Sequence, residues 1–384
     1  MALTLYQKAI LCEALVQGRH YYEGQVRQQV ILPPAGLPDH STGNHESDAL
    51  ATGMYLEALS FRWAATRDPR AKRQAKAVAR ALRKLQRLTG SKGCFARGFK
   101  RADGPTWDEQ FFFFPHEWHQ AGKYRWVGDP STDSLVGLMS GYEQYHDLVA
   151  DAKEKAEVAK DVDLIMGYIV GNGMRVLDVD GRVTLWGNMN PHILEENLNA
   201  LQALSHLRAA HHITKKRRYL DEYHRLIDAW DYHKRAALAN AQDDPPPAVH
   251  DWNLAVSPLY SLLRYEADED LLRYYYRALE VQWKRTYANG PNDAFFNVVY
   301  KALHPRAPMR TEAWQWLETT DLGAREFPAK VTADALKPPV QERKFELVVN
   351  GKRKVIEAVS EVMPRAFLRA YWSGRYFHFI SPEA

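Results

Sequence analysis

Helical patterns in this chain come in adjacent pairs, and that pairing restricts its fold more than any other feature. The first pair is ESDALATGMYLEALSFRWAATRD followed by RAKRQAKAVARALRKLQRLTG. Leu50, Met54, Leu56, Ala58, Phe61 and Trp63 are apolar at helical spacing in the first, and Ala75, Val78, Leu82 and Leu85 share one face of the second. Asp68-Pro69 breaks the pattern between them, and Gly90 is placed to cap its end. Four further pairs follow, opening at Ser131, Ile193, Asp251 and Asn292. Four of the five connections are only a few residues long, such as TRDPR and HHITKK. Helices joined so tightly must lie antiparallel as neighbours.

A helix near Leu3–Gly18 supplies half of a sixth pair, with a C-terminal segment to close the set. The expectation is an all-α protein, an (α/α)6 toroid of antiparallel helical hairpins. A flat stack of hairpins is the alternative, and the lack of a strict sequence period favours the ring. Two β-hairpins interrupt the helices. NGMRVLDVDGRVTLWGNMNP, from Asn172 to Pro191, turns at Asp180-Gly181, and KFELVVNGKRKVIEAV turns at Asn350-Gly351. They are expected on the rim and in the C-terminal tail. Residues 1–340 form the toroid in this reading, and residues 341–384 form a tail too short for much core of its own.

Three long connections join the second helix of one pair to the first helix of the next: SKGCFARGFKRADGPTWDEQFFFFPHEWHQAGKYRWVGDP, the Asn172 hairpin, and ANAQDDPPPAVH. In a ring of hairpins these ends share one face. Long structured loops in a compact domain are usually functional, so this face is the expected site.

Bulk properties exclude several classes. Lys and Arg number 51 against 47 Asp and Glu, for a net charge of +4, with no basic stripe to suit nucleic acid. No run of about 18 apolar residues marks a membrane span. The N-terminal 25 residues contain Lys8, Glu13 and Arg19 and read as an amphipathic helix and not a signal peptide, which leaves export open. Two cysteines, Cys12 and Cys94, cannot build a disulfide framework or a four-Cys metal site. There is no phosphate-binding or dinucleotide-binding glycine motif. DVDG at Asp178–Gly181 lacks the downstream ligands of a calcium loop and reads as a turn. His211-His212 has no partner ligand at metal spacing and reads as a helix end, so no metal or cofactor is expected.

Aromatic residues are the one conspicuous excess, with 11 Trp and 20 Tyr. Their flat apolar faces and polar edges match sugar rings. The long connections collect such residues with acids and imidazoles. The first holds Arg97, Trp107, Asp108, Glu109, His116, Glu117, Trp118, His119, Trp126, Asp129 and Asp133, the last in the first turn of the helix that Ser131 or Thr132 caps. The second ends in Trp186, Asn188, Asn190 and His192, and the third in His250, Asp251 and Asn253. Asn44, His45 and Asp48 stand in the same relation to the first paired helix. Any one such entrance reads as an N-cap; three with a histidine beside the cap point to a shared mouth. Glycoside cleavage needs two carboxylates, which Asp48, Asp133 and Asp251 can supply. Elimination from a uronic acid needs a base and a group that neutralises the carboxylate, for which Arg97, His192, His250 and Tyr376 are available.

The stretches GCFARGF, WVGDPSTDSLVGLMSGYEQYHDLVAD, NGMRVLDVDGRVTLWGNMNP, LLRYEADEDLLRYYYRALEVQW and YWSGRYFHF resemble, in that order, a bacterial family of the six-hairpin glycosidase-like superfamily. The resemblance spans roughly Asn44 to Phe379. It implies an (α/α)6 toroid and, by fold analogy, action on carbohydrate, with a glycan or oligosaccharide containing uronic acid as the expected substrate. The family's Ser-Ser-Asp-Glu-like stretch corresponds here to Ser131-Thr132-Asp133-Ser134, so the second acid is missing. His250 and Asp251 fit the family's histidine and acid in the stretch VHDWN.

The expectation is therefore a glycoside hydrolase. Asp133 is its catalytic carboxylate, with Asp48 or Asp251 opposite. His45, Arg97, Trp107, His116, Trp118, Trp126, Trp186, Asn188, His192, His250 and Tyr376 bind the glycan. A polysaccharide lyase, a sugar epimerase and a non-catalytic glycan-binding protein are the alternatives.

Overall fold

The computed structural model describes residues 3–28, 30–32, 46–104, 116–193, 196–241, 249–289, 294–307, 311–319, 342–349, 352–361 and 363–383. For 30–32, 249–253, 285–289, 311–313, 316, 342–349, 352–361 and 363 it describes the backbone alone. The helices are α1 (Leu5–Leu15), α2 (Asp48–Thr66), α3 (Pro69–Leu88), α4 (Thr132–Leu148), α5 (Ala152–Gly171), α6 (Asn197–Thr214), α7 (Arg217–Trp230), α8 (Tyr232–Ala236), α9 (Val249–Tyr265), α10 (Glu269–Asn289), α11 (Ala294–Leu303), α12 (Thr311–Thr319) and α13 (Met363–Tyr376).

The tight hairpin connections have local causes. Arg67 takes a left-handed conformation at φ 56° and ends α2, whereupon Asp68 caps α3 through the Arg70 amide and Pro69 occupies the first turn. Asp151 and Glu154 form a capping box that opens α5. Lys215, at φ 59°, turns α6 into α7.

Packing between helices closes a ring. α2 packs on α4, α4 on α6, α6 on α9, α9 on α11, α11 on α13, and α13 returns to α2. Around these six inner helices lie α1 against α13, α3 against α2, α5 against α4 and α6, α7 with the short α8 against α6, α10 against α9, and α12 against α11. This is the expected toroid. The sixth inner helix, α13, comes from the C-terminal segment, so that segment contributes a wall of the ring itself. Its partner α1 is tied to the end of the set by Lys8, whose ammonium donates to the carbonyl of Leu317 at 3.3 Å.

The inner helices run parallel, because residues at equal depth meet. Asn199, near the start of α6, reaches Thr132 at the start of α4. Ser257 in mid-α9 bonds Glu57 in mid-α2 at 3.1 Å, and Ser261 bonds Glu143 of α4 at 2.6 Å. Near the far end, His212 of α6 and Arg264 of α9 both reach Asp147 of α4. Tyr376 at the end of α13 packs on Phe61 near the end of α2. Arg369 of α13 lies over Phe295 near the start of α11, while Lys301 near the end of α11 reaches Phe379 beyond α13. All six N-termini therefore face one end.

Sequence explains which helices line the ring. Outer α3 and α7 carry charge on one side and apolar residues on the other, as helices with one wet face must. In α2, covered by α13, α3 and α4, every residue from Asp48 to Arg62 is buried. Its contact with α4 is backbone against backbone: a Cβ on Gly53 would lie 1.8 Å from the carbonyl oxygen of Gly137. The ring's centre is polar. Arg369 of α13 bonds Glu57 and Ser257, all of them buried.

The strands are β1 (Tyr21–Tyr22), β2 (Gln25–Val26), β3 (Val30–Leu32), β4 (Phe99–Arg101), β5 (Trp118–Ala121), β6 (Tyr124–Val127), β7 (Arg175–Leu177), β8 (Val183–Asn188), β9 (Glu342–Val349) and β10 (Lys352–Glu361). Both foreseen hairpins are present as β7–β8 and β9–β10, the latter joined by β3 in one antiparallel sheet. The connection after α3, foreseen only as a long structured loop, contains the antiparallel sheet β4–β6–β5. Strand-forming Phe99, Tyr124, Trp126 and Val127 drive it, Phe99 packing edge-on against Tyr124 with centroids 5.7 Å apart.

Candidate active site at the helix N-termini

The sheet after α3 is fixed to the ring by backbone bonds: Ala49 at the start of α2 donates to Arg97 at 2.7 Å, and Arg97 donates to Val127 at 2.9 Å. This places Arg97, Asp129 and Asp133 at the end where the inner helices begin. The β7–β8 hairpin meets them there. Asp178 accepts the Asp129 amide at 2.6 Å and the Val179 amide at 2.8 Å. Asp129 accepts the Leu185 amide at 2.8 Å. Two connections separated by some 50 residues thus share one acidic junction.

Arg97 lies inside that junction, 3% exposed. Its guanidinium donates to the carbonyls of Glu46, at 2.8 Å, and Asp129. Burial lowers its pKa, while the charges of Asp129, Asp133, Glu46 and Asp178 act in the opposite direction. Four carboxylates therefore surround one guanidinium, a local balance of −3. His116 bridges two of them: its Nε2 lies 3.1 Å from Glu46 and its Nδ1 3.2 Å from Asp129. Burial pulls the imidazole pKa down, but the bonds to Asp129 and Glu46 outweigh it and raise the value above 6.5. The same contacts, with the Leu185 amide, hold the Asp129 carboxyl low against its burial.

Asp133 sits in the first turn of α4, partly buried, behind the Ser131 cap that accepts the Ser134 amide. The helix N-terminus and Arg97 both stabilise negative charge at that point. Beside the junction, Leu185 and Trp186 of β8 are 60% and 44% exposed, and Ile193 beyond it is 48% exposed. Trp118 lies under the ammonium of Lys100, 4.9 Å from the ring centroid. His192 is exposed and meets Trp230 edge-on at 4.5 Å.

Several expected site residues stand elsewhere. Asp48 is wholly buried: its carboxylate takes the Gln28 amide at 2.8 Å and so fastens the segment after β2 to α2. Trp126 is 3% exposed, stacked on His119 at 4.2 Å, and serves the core. The Asn188 side chain closes its own turn, donating to Ile193 and accepting from the Asn190 amide. Tyr376 ends α13 and packs on Phe61 near the end of α2, 5.3 Å between centroids, which is the opposite end of the ring from Asp133. Arg97, by contrast, stands in the junction itself, buried, with Nε and Nη1 on the carbonyls of Asp129 and Glu46 and Nη2 3.9 Å from the Asp129 carboxylate. His45 and Trp107 lie outside the described residues, as do the side chains of His250 and Asp251. The latter two belong to the first turn of α9, at the same end as Asp133.

Two acids of the junction escaped the sequence reading. Glu46 stands between His45 and Ser47, immediately ahead of a helix, where an acid looks like ordinary capping. Asp178 stands in DVDG, which has the composition of a turn.

Comparison with family models matched none, and comparison with curated proteins gave no match. Among solved structures, a family 76 glycoside hydrolase from a bovine Bacteroides thetaiotaomicron strain aligns over 98% of this chain and 78% of its own, at 12% identity and a TM-score of 0.49. A family 76 glycoside hydrolase (mannosidase) from Bacteroides thetaiotaomicron VPI-5482 aligns over 78% of this chain and 80% of its own, at 13% identity and a TM-score of 0.45. Similarity at this level does not transmit function.

Proposed function

We propose that the protein is a glycoside hydrolase whose glycan binds at the acidic end of the ring, with Asp133 as a catalytic carboxylate. The observation that carries this reading is the convergence of Asp129, Asp133, Asp178 and Glu46 about Arg97, beside exposed Trp186. The roles within the cluster differ. Both oxygens of Asp178 accept backbone amides, and both oxygens of Asp129 are engaged by Leu185 and His116. These two are positioning residues. Asp133, in the first turn of α4 and within the field of Arg97, is the proposed carboxylate for the chemistry, serving as base or nucleophile where negative charge is already favoured. Asp251, in the first turn of α9, is its proposed partner and the proton donor to the leaving oxygen. Trp186 offers a flat face for a sugar ring.

The charge of the cluster bears on the substrate. A local balance of −3, or −2 with His116 protonated, repels a uronate and suits an uncharged sugar. With Arg97 held by backbone carbonyls, no guanidinium among the described cluster residues is available to a substrate carboxylate. The proposal is therefore a neutral glycan in place of the uronic acid expected from sequence.

The test is release of reducing ends from a panel of neutral oligosaccharides and uronate oligosaccharides. Cleavage of a neutral member supports the reading. Cleavage of uronates alone overturns the substrate class. An unsaturated, ultraviolet-absorbing product assigns elimination, and affinity for glycan without turnover on any member assigns a binding protein.

A further inference from the structure

At the opposite end of the ring, three side chains from two inner helices converge. His146 Nδ1 lies 2.8 Å from Asp147 Oδ1, and His212 Nε2 lies 2.9 Å from the same oxygen. These three atoms all fall within 4.8 Å of one another. The side chains are 12%, 15% and 29% exposed, so the cluster is sheltered yet reachable from solvent.

What surrounds the three atoms fixes their direction. The other oxygen of Asp147 accepts from Arg264 and from the Tyr265 hydroxyl, each at 2.8 Å. This leaves Oδ1 turned toward the imidazoles. The Tyr265 ring also stacks on His212 at 4.1 Å and 15°, and His146 meets His212 edge-on at 5.7 Å. One residue pair of α9 thereby sets the carboxylate and one imidazole together. Outer groups of this kind orient the ligands of metal centres.

We propose that His146, Asp147 and His212 bind a transition-metal dication of the zinc class. Two imidazoles and one carboxylate are borderline ligands that suit zinc, cobalt or nickel over calcium or magnesium. Around a tetrahedral zinc ion with bonds of about 2.0–2.2 Å, ligand atoms stand roughly 3.4 Å apart. The two nitrogen–oxygen contacts need to open by about 0.5 Å to admit the ion. Without the ion each of these nitrogens donates to Asp147. On binding, each gives up that proton to solvent and each imidazole takes the tautomer protonated on its other nitrogen, which frees a lone pair for the metal. Three protein ligands leave a fourth position for water. Arg264 opposes a cation by its charge, but it holds the oxygen remote from the ion and is itself in the field of Glu143. His212 lacked a partner in sequence because its partners lie 65 residues away, across the α4–α6 contact.

The test uses the full-length protein stripped with chelator and titrated with cobalt(II) and with zinc chloride. The expected result is one tight site per chain, with the intense visible absorption of tetrahedral cobalt displaced by zinc. His212→Ala abolishes the absorption and weakens zinc binding at least a hundredfold, whereas His192→Ala, at the far end, leaves both unchanged. Should His212→Ala fail to fold, Tyr265→Phe supplies the second reading, with a loss of about ten- to a hundredfold in zinc affinity. Absence of the tetrahedral spectrum in the parent, or its persistence at full strength in His212→Ala, overturns the site. Glycan turnover at the acidic end does not enter the readout, so this outcome is independent of the proposed hydrolase activity.

Discussion

The backbone amide of Asp129 donates to the carboxylate of Asp178 at 2.6 Å, and through that bond the sheet after α3 and the β7–β8 hairpin become one surface. Asp178 also takes the Val179 amide. Hydrogen bonds to a charged acceptor contribute about 1.5–3 kcal/mol each. Asp178→Ala is therefore expected to speed exchange of the Asp129 amide by roughly ten- to a hundredfold, measured by hydrogen–deuterium exchange, with global stability less affected. Unchanged protection of Asp129 and Leu185 would show that the two connections hold their places without this bond.

Close approach of α2 and α4 makes a second expectation. A Cβ on Gly137 would lie 2.3 Å from the Leu50 Cα and 2.7 Å from the Ala49 carbonyl oxygen, both backbone atoms that cannot swing aside. Gly137→Ala should destabilise the protein by at least about 1–3 kcal/mol, the usual cost of overpacking, and lower the Tm by several degrees. Gly171→Ala, whose Cβ meets nothing within 4 Å, is the control and should change stability by less than about 0.5 kcal/mol. Equal Tm values for the two variants would contradict the tight packing of these helices.

Glu143 links stability to pH. Burial pushes its carboxyl up to about 7, against the opposing pulls of Arg264, Ser261 and Tyr265. A carboxyl raised in the folded state contributes stability that is full below about 4.5 and lost as pH rises through about 7. Glu143→Gln removes that dependence while keeping an acceptor for Ser261. In chelator, the stability of parent minus variant should fall by about 3 kcal/mol between pH 4.5 and pH 7. Urea unfolding across that range measures it, and parallel curves for the two proteins would contradict the assignment.

His116 has the opposite chemical character and the same sign. Its imidazole is raised above 6.5 because the bonds to Asp129 and Glu46 outweigh burial. The stability it lends to the mouth is full below about 6.5 and is lost as pH rises past the raised value. A proton titration of His116 by NMR should give a midpoint above 6.5, returning toward 6.5 in Asp129→Asn. A midpoint below 6.5 would mean that burial dominates.

The ring was legible in the sequence because helical periodicity and short connections are local signals. Helix α13 was harder to place, since its role depends on Arg369 meeting Glu57 over 312 residues. The shared end was legible from the lengths of the connections. Individual roles were less so: Asp48, Asp133 and Asp251 occupy equivalent first turns, yet the Gln28 amide closes over the first. Trp126 and Trp186 look alike in sequence, and only the strand pairing of β4 and β5 on either side of β6 buries the former. Glu46 and Asp178 carried the composition of caps and turns and gave no chemical signal of their own.

The most direct measurement compares Asp133→Asn with the parent on the neutral oligosaccharide that the parent cleaves best, with kcat/KM from product release and affinity from titration calorimetry. The account predicts a loss of at least about a thousandfold in kcat/KM, worth roughly 4 kcal/mol of transition-state stabilisation, with glycan affinity within a few fold of the parent. Turnover by Asp133→Asn at the parental rate would contradict it.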